Sequence, residues 1–337
     1  RAFNRQQKGG AQGNPKTMSA NISLVMHSLF VVAVATLGFS LACACIASAF
    51  LRWSNRFNPY SQLFLLRLFA AWPLLGGLAI GVMVSLPSIN HASKLPFDHC
   101  HNSGGCVMQP VSHMLSIGEF TLFIALLGFI FWAALSALSQ WRRAHALADS
   151  IETMSHATLA PDIHVVEATQ PLAFSVGLFK PVAALSTELV RLLTPQQLGI
   201  ICDHEQVHMR HYDNGYKWAL RLLCSFHWPH VKRGLLSEHA VTLELRADQQ
   251  VAQHIQDPIA VAETIVIMQR LIKPLKTSEP LCQFTGSAVE QRVRYLLAQS
   301  SGYQLSKCSA TLCLITAIVI IASGAVPLHN ALESLLT

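Results

Sequence analysis

Four stretches of the chain run almost without polar interruption, at about Ile22–Phe50, Leu63–Leu86, Ile117–Leu138 and Ala310–Val326. Each reaches or approaches the roughly 20 apolar residues that carry a helix across a bilayer core. The first is far too long for the apolar region of a signal peptide. Between the third and fourth, over about 139–309, apolar and polar positions mix. There His164–Glu167, Ala173–Val176 and Val182–Leu185 read as short strands, parted by turn residues such as Gln170-Pro171 and Gly177. Val182–Leu185 is either an edge against which an extended peptide could pair or an internal strand. Thr194-Pro195-Gln196-Gln197 then spells a helix start: Thr194 caps, Pro195 takes the first helical position and Gln197 closes a capping box. Leu198, Ile201 and Cys202 give that helix an apolar side as far as about Arg210. A second helical pattern has Val241, Leu245 and Val251 as its core.

Composition agrees with a membrane protein that carries a soluble part. Of 337 residues, 52% are hydrophobic and only 12% charged, about half the charged share of an ordinary soluble domain. Mean hydropathy is +0.39. The net charge of +6 is spread thinly. No block of like charges forms a tail, so direct nucleic-acid binding is not expected. The basic residues instead set topology. Arg52, Arg56 and Arg67 flank the connection between the first two spans, and Arg142-Arg143 follows the third. The loop at 87–116 holds only Lys94. The expected order is therefore N-terminus outside, segment 139–309 inside and loop 87–116 outside. Residues 1–21 form a polar, Gly-rich tail, disordered or foreign to the natural chain, with Met18 a plausible start. Arg1, Arg5, Lys8 and Lys16 oppose the orientation, which fits a foreign tail. The resulting plan is an α-helical membrane protein. It has three transmembrane helices within 22–138, a cytoplasmic α+β domain at 139–309, a fourth helix at 310–326 and a short outer tail at 327–337.

The chemistry sits on the capped helix, in Asp203-His204-Glu205-Gln206-Val207-His208. Residues four apart share a helix face, so His204 and His208 can offer imidazole nitrogens to one metal ion. Glu205 then lies beside the attacking water as a general base. The plain alternative is a solvated face with two surface histidines. Leu243-Glu244-Leu245-Arg246-Ala247-Asp248 tips the balance, because a catalytic zinc takes three protein ligands and an open position. Glu244 can be the third ligand, and Asp248 can accept the remaining N–H of a ligand histidine. Together these favour a gluzincin-like centre holding one zinc ion. His211, Tyr212, His227, His230 and His239 are candidates for stabilising an oxyanion. In the outer loop, Cys100 and Cys106 are candidates for a disulfide. With His99, His101, Met108 and His113 they are alternatively a copper or zinc sensor.

Three ordered motifs, Phe174-Ser175-Val176-Gly177-Leu178-Phe179-Lys180-Pro181-Val182, the His204–His208 motif with Tyr212-Asp213-Asn214, and Glu244–Asp248, resemble the membrane zinc peptidases of the BlaR/MecR antirepressor type over about 22–326. The resemblance implies a bacterial inner-membrane protein with a cytoplasmic gluzincin domain. It also implies His204, His208 and Glu244 as zinc ligands, Glu205 as base, and Asp213-Asn214 as part of the site's wall. The implied partners are the lipid bilayer and a protein substrate, a transcriptional repressor in signal transduction. Self-cleavage within Leu271–Leu305 is implied too, and self-association stays open. No penicillin-binding sensor segment follows the fourth span, so β-lactam detection is not expected. Two other jobs fit the residues: a membrane quality-control peptidase, and a metal-stabilised transducer that does not cut. Glu205 argues against the last, since a purely structural zinc needs no general base.

Overall fold

The computed structural model describes residues 15–89, 117–271, 286–298 and 302–306, with Thr316 alone beyond them. Three long helices open the chain: α1 (Pro15–Ser54), α2 (Pro59–Ile89) and α3 (Ile117–Met154). Each contains a stretch long and apolar enough to cross a membrane, Ser28–Ser54, Pro59–Val82 and Phe123–Met154. Three of the four expected spans thus fall on helices. The fourth, and the outer loop with Cys100 and Cys106, lie outside the described residues apart from Thr316.

The chain divides into two compact units. Of the described residues, one takes 15–37, 75–89, 117–130 and Thr316. In it α1 and α2 approach closely at Gly77 and Gly81. A Cβ on Gly77 would run into Thr36 Oγ1, and one on Gly81 into Val32 Cγ2. Small residues four apart let helix backbones meet where lipid gives no hydrophobic drive to pair.

The other unit takes, of the described residues, 38–74, 131–271, 286–298 and 302–306. Its sheet is built from β1 (Ala157–Ala160), β2 (Ile163–Val166), β3 (Ala173–Val176) and β4 (Val182–Ser186), in the order β1-β2-β4-β3. β2 and β4 are parallel and the outer pairs antiparallel. The short strands fall close to where the turn residues placed them. β1, exposed along most of its length, has no alternating pattern to announce it. β4 is interior, with both backbone edges used by β2 and β3, so it cannot serve as the edge for a peptide. Its side chains alternate with the pleat. Val182 and Ala184 pack on Ala148 and Ile151 at the end of α3. Ala183 and Leu185 face Leu189, Leu193, Ile201 and Met209. Gly177 turns β3 into β4 with φ +91°, and a Cβ there would strike the Lys180 carbonyl.

After the sheet come α4 (Thr187–Leu192), α5 (Pro195–Arg210), α6 (Asp213–Leu223), a short 3-10 turn (Cys224–Phe226), α7 (Pro229–Ile255), α8 (Pro258–Leu271) and α9 (Gly286–Leu297). Ile200 and Val207 of α5 form a core with Ala247 and Val251 of α7, Val261 and Ile265 of α8, and Leu296 of α9. The stretch after α9 returns to the α1–α2 connection. Tyr303 N–H donates to Arg56 O, and Tyr303 O accepts from Asn58 N–H, both at 3.0 Å.

Candidate metal centre

Helix α5 starts as its sequence requires. Thr194 Oγ1 accepts from Gln197 N–H (3.3 Å), Gln197 Oε1 accepts from Thr194 N–H (3.1 Å), and Pro195 opens the first turn. Two and a half turns later His204 and His208 project together, with Nε2 atoms 3.1 Å apart. Glu244 comes from α7, held against α5 by the shared core. Its Oε2 is 3.2 Å from His204 Nε2, and its Oε1 is 3.5 Å from His208 Nε2. These are the three groups among the described residues that could hold a metal ion. A tetrahedral zinc with bonds near 2.05 Å needs donors about 3.3 Å apart. The spacing of 3.1–3.5 Å brackets that value, so the donor set fits the ion.

The far side of each imidazole is tied to a buried carboxylate. His204 Nδ1 lies 3.1 Å from Asp248 Oδ1, and His208 Nδ1 lies 2.7 Å from Asp213 Oδ2. Each carboxylate accepts the Nδ1 proton and leaves Nε2 to face the shared point. Asp248 was expected in this role. Asp213 was expected with Asn214 in the wall of the site and, like Asp248, among the residues supporting the ligands; it does for His208 what Asp248 does for His204. The chain reverses between α5 and α6 through one left-handed residue, Tyr212 at φ 52°, which brings Asp213 back beneath His208. Such a conformation is uncommon for a bulky residue. Asn214 Nδ2 donates to Ser175 O at 2.9 Å, tying the start of α6 to β3.

Two arginines that the sequence reading passed over complete the frame. Arg246 Nη2 donates to Asp213 Oδ2 at 2.5 Å. Arg292, from α9, holds Asp248 with two hydrogen bonds of 2.7 Å and lies 3.4 Å from Glu244 Oε2. A cue for Arg292 was present: it sits one turn from Leu296 and three residues from Val289, a cation on an apolar helix face. From α2, Arg67 lies 3.7 Å over the Tyr216 ring and reaches His239 Nε2 at 3.3 Å.

This density of charge moves the titrations. Burial alone would lower His204, but hydrogen bonds to Asp248 and Glu244 prevail and hold it at about 10. His208 is also raised, Glu244 and Asp213 overcoming burial. Burial would raise Glu244, yet His208 and Arg292 bring it well below the ordinary range. Burial would raise Asp248 too, but Arg292 lowers it. Metal therefore has to displace protons from the histidines to enter. Glu205 is buried, and the pairs that hold the ligands leave its carboxylate out.

Of the five oxyanion candidates, two are committed elsewhere. His227 Nε2 is 3.1 Å from Ala70 O, and buried His239 pairs with Arg67. Tyr212 and His230 are exposed. His211, which follows the last turn of α5, is 3.0 Å from Gln250 Nε2. No protein-family model matches the chain, and no solved structure matches it.

Proposed function

We propose that the protein is a membrane-anchored zinc endopeptidase that cuts protein substrates at the inner face of a bacterial membrane. The observation that carries the reading is the set His204, His208 and Glu244 at zinc-donor spacing, with Glu205 buried one position from His204 on the same helix and outside the hydrogen-bonded pairs that hold the ligands. Asp248 and Asp213 hold the imidazoles in one tautomer. Glu244 supplies the third donor and half of the charge a divalent cation needs. Arg292 and Arg246 keep the two supporting carboxylates ionised and fixed. When bound, zinc supplies Lewis acidity for the scissile carbonyl and for water. Glu205 takes the proton from the attacking water and delivers it to the leaving amine. A structural zinc has no use for that carboxylate, which favours catalysis over a silent transducer.

The resemblance to antirepressor peptidases favours a cytoplasmic repressor as substrate. New protein N-termini should be collected from cells carrying the active enzyme and from cells carrying Glu205→Gln. Cleaved DNA-binding proteins would support the antirepressor reading. Fragments drawn mainly from damaged membrane proteins would move the job to quality control, and identical sets of ends would remove the peptidase reading.

A further inference from the structure

Within the second unit, the corner between α6 and α7, Leu220–Leu236, packs on α1 and α2. Leu220, Cys224, Val231 and Leu235 form one buried cluster with Cys43 and Ala47 of α1 and Leu66, Phe69 and Ala70 of α2. His227 Nε2 reaches the Ala70 carbonyl. Cys43 and Ala70 each lie 11 residues inside the ends of their candidate spans, at Ser54 and Pro59. That is about 16 Å along each helix. At this level α1 is apolar on both sides. Where it buries Cys43 and Ala47 against the corner, it leaves Leu41 56% and Ile46 54% exposed. Large aliphatic side chains that open on a spanning helix belong to lipid. A corner seated at the same level has to meet lipid as well.

Its own surface fits that neighbour. Trp228 is 51% exposed at the tip, next to Pro229, while Leu222 and Phe226 are half-buried. Arg221 and Arg233 are exposed to either side. A tryptophan ring prefers the boundary between headgroups and acyl chains. Arginine stems lie along apolar surface while their guanidinium groups reach phosphate.

We infer that the α6–α7 corner is a lipid-embedded wedge, with Trp228 in contact with lipid and Arg221 and Arg233 reaching toward lipid phosphates. The wedge stands independently of the peptidase reading. If both hold, the same α6 that carries Asp213 to the metal ligand also touches the membrane, three turns from the centre.

The test uses the full chain in nanodiscs of phosphatidylethanolamine and phosphatidylglycerol. A benzophenone amino acid replaces Trp228, with Leu41 as lipid reference and Ile259 of α8 as aqueous reference. Irradiation should give lipid adducts at 228 and at 41, read by mass, and none at 259. Adducts at 41 without any at 228, or only protein adducts at 228, would overturn the wedge. A milder comparison guards against misfolding of the photoprobe. Brominated lipid should quench wild type more than Trp228→Phe, by up to the share of one tryptophan in six. Equal quenched amplitude would count against the wedge.

Discussion

Asp248 has two jobs that one pair of substitutions can pull apart. It is fully buried, accepts two hydrogen bonds of 2.7 Å from Arg292, and lies 3.1 Å from His204 Nδ1. Asp248→Asn keeps the shape but takes from Arg292 the carboxylate that holds it at 2.7 Å, leaving it Glu244 at 3.4 Å. Breaking one side of a buried ion pair costs on the order of 3–5 kcal/mol. The same change takes the carboxylate away from His204, and loss of such support weakens metal binding about 10–100-fold. Asp248→Asn/Arg292→Met removes the Arg292 charge as well. Stability should return most of the way toward wild type, while zinc affinity stays about 10–100-fold weak. Stability would be read by chemical denaturation of the metal-free protein in detergent micelles, so that bound metal adds nothing to it. Affinity would be read by competition with a zinc chelator. Wild-type affinity in Asp248→Asn would refute the support of His204. A double variant as unstable as the single would refute the account of the pair.

His239 should carry an acid limit on stability. Burial first, then Arg67, lowers it from 6.5 to about 3. The unfolded chain therefore binds a proton between those values that the folded chain refuses. The resulting stability is present at neutral pH and lost as pH falls below 6.5, by about 2 kcal/mol at pH 5. His239→Gln should flatten that part of the pH–stability curve; an unchanged slope between pH 7 and 5 would exclude His239 as its source. Self-cleavage, expected between Leu271 and Leu305, should appear by intact mass as fragments in wild type and be missing in Glu205→Gln. Only intact chain under conditions where another protein is cut would count against it. His204→Ala should leave the purified protein without stoichiometric zinc, and full zinc content in that variant would displace His204 from the ligand set.

The residues that could be read in advance are those whose role follows from local periodicity. The i, i+4 spacing put His204 and His208 on one face, and the same spacing made Glu244 and Asp248 neighbours. The Thr194–Gln197 box fixed where their helix begins. Groups that arrive from distant elements were hidden. Arg292 comes from α9, 48 positions beyond Glu244, and nothing in its own helix says which carboxylate it meets. Asp213 could be seen beside the motif, but its contact with His208 depends on the left-handed turn at Tyr212, which no preference of tyrosine announces. The edge of the sheet was likewise a question of pairing order. Val182–Leu185 reads equally well as edge or interior, and only its partners β2 and β3 decide. Three spans were legible from length and hydropathy. What hydropathy could not convey is that residues 38–74, most of them in α1 and α2, cluster with the unit that carries His204, His208 and Glu244.

We propose that Glu205, acting with a zinc held by His204, His208 and Glu244, makes this protein a peptidase. The most direct measurement sets zinc-loaded wild type against zinc-loaded Glu205→Gln on one quenched-fluorescence peptide library in nanodiscs. Metal content is determined on the same samples. The account expects about one zinc per chain in both proteins, turnover in wild type, and a loss of about 10²–10⁴-fold in the variant. Equal turnover by the two proteins, or turnover by wild type that survives removal of its metal, would contradict it.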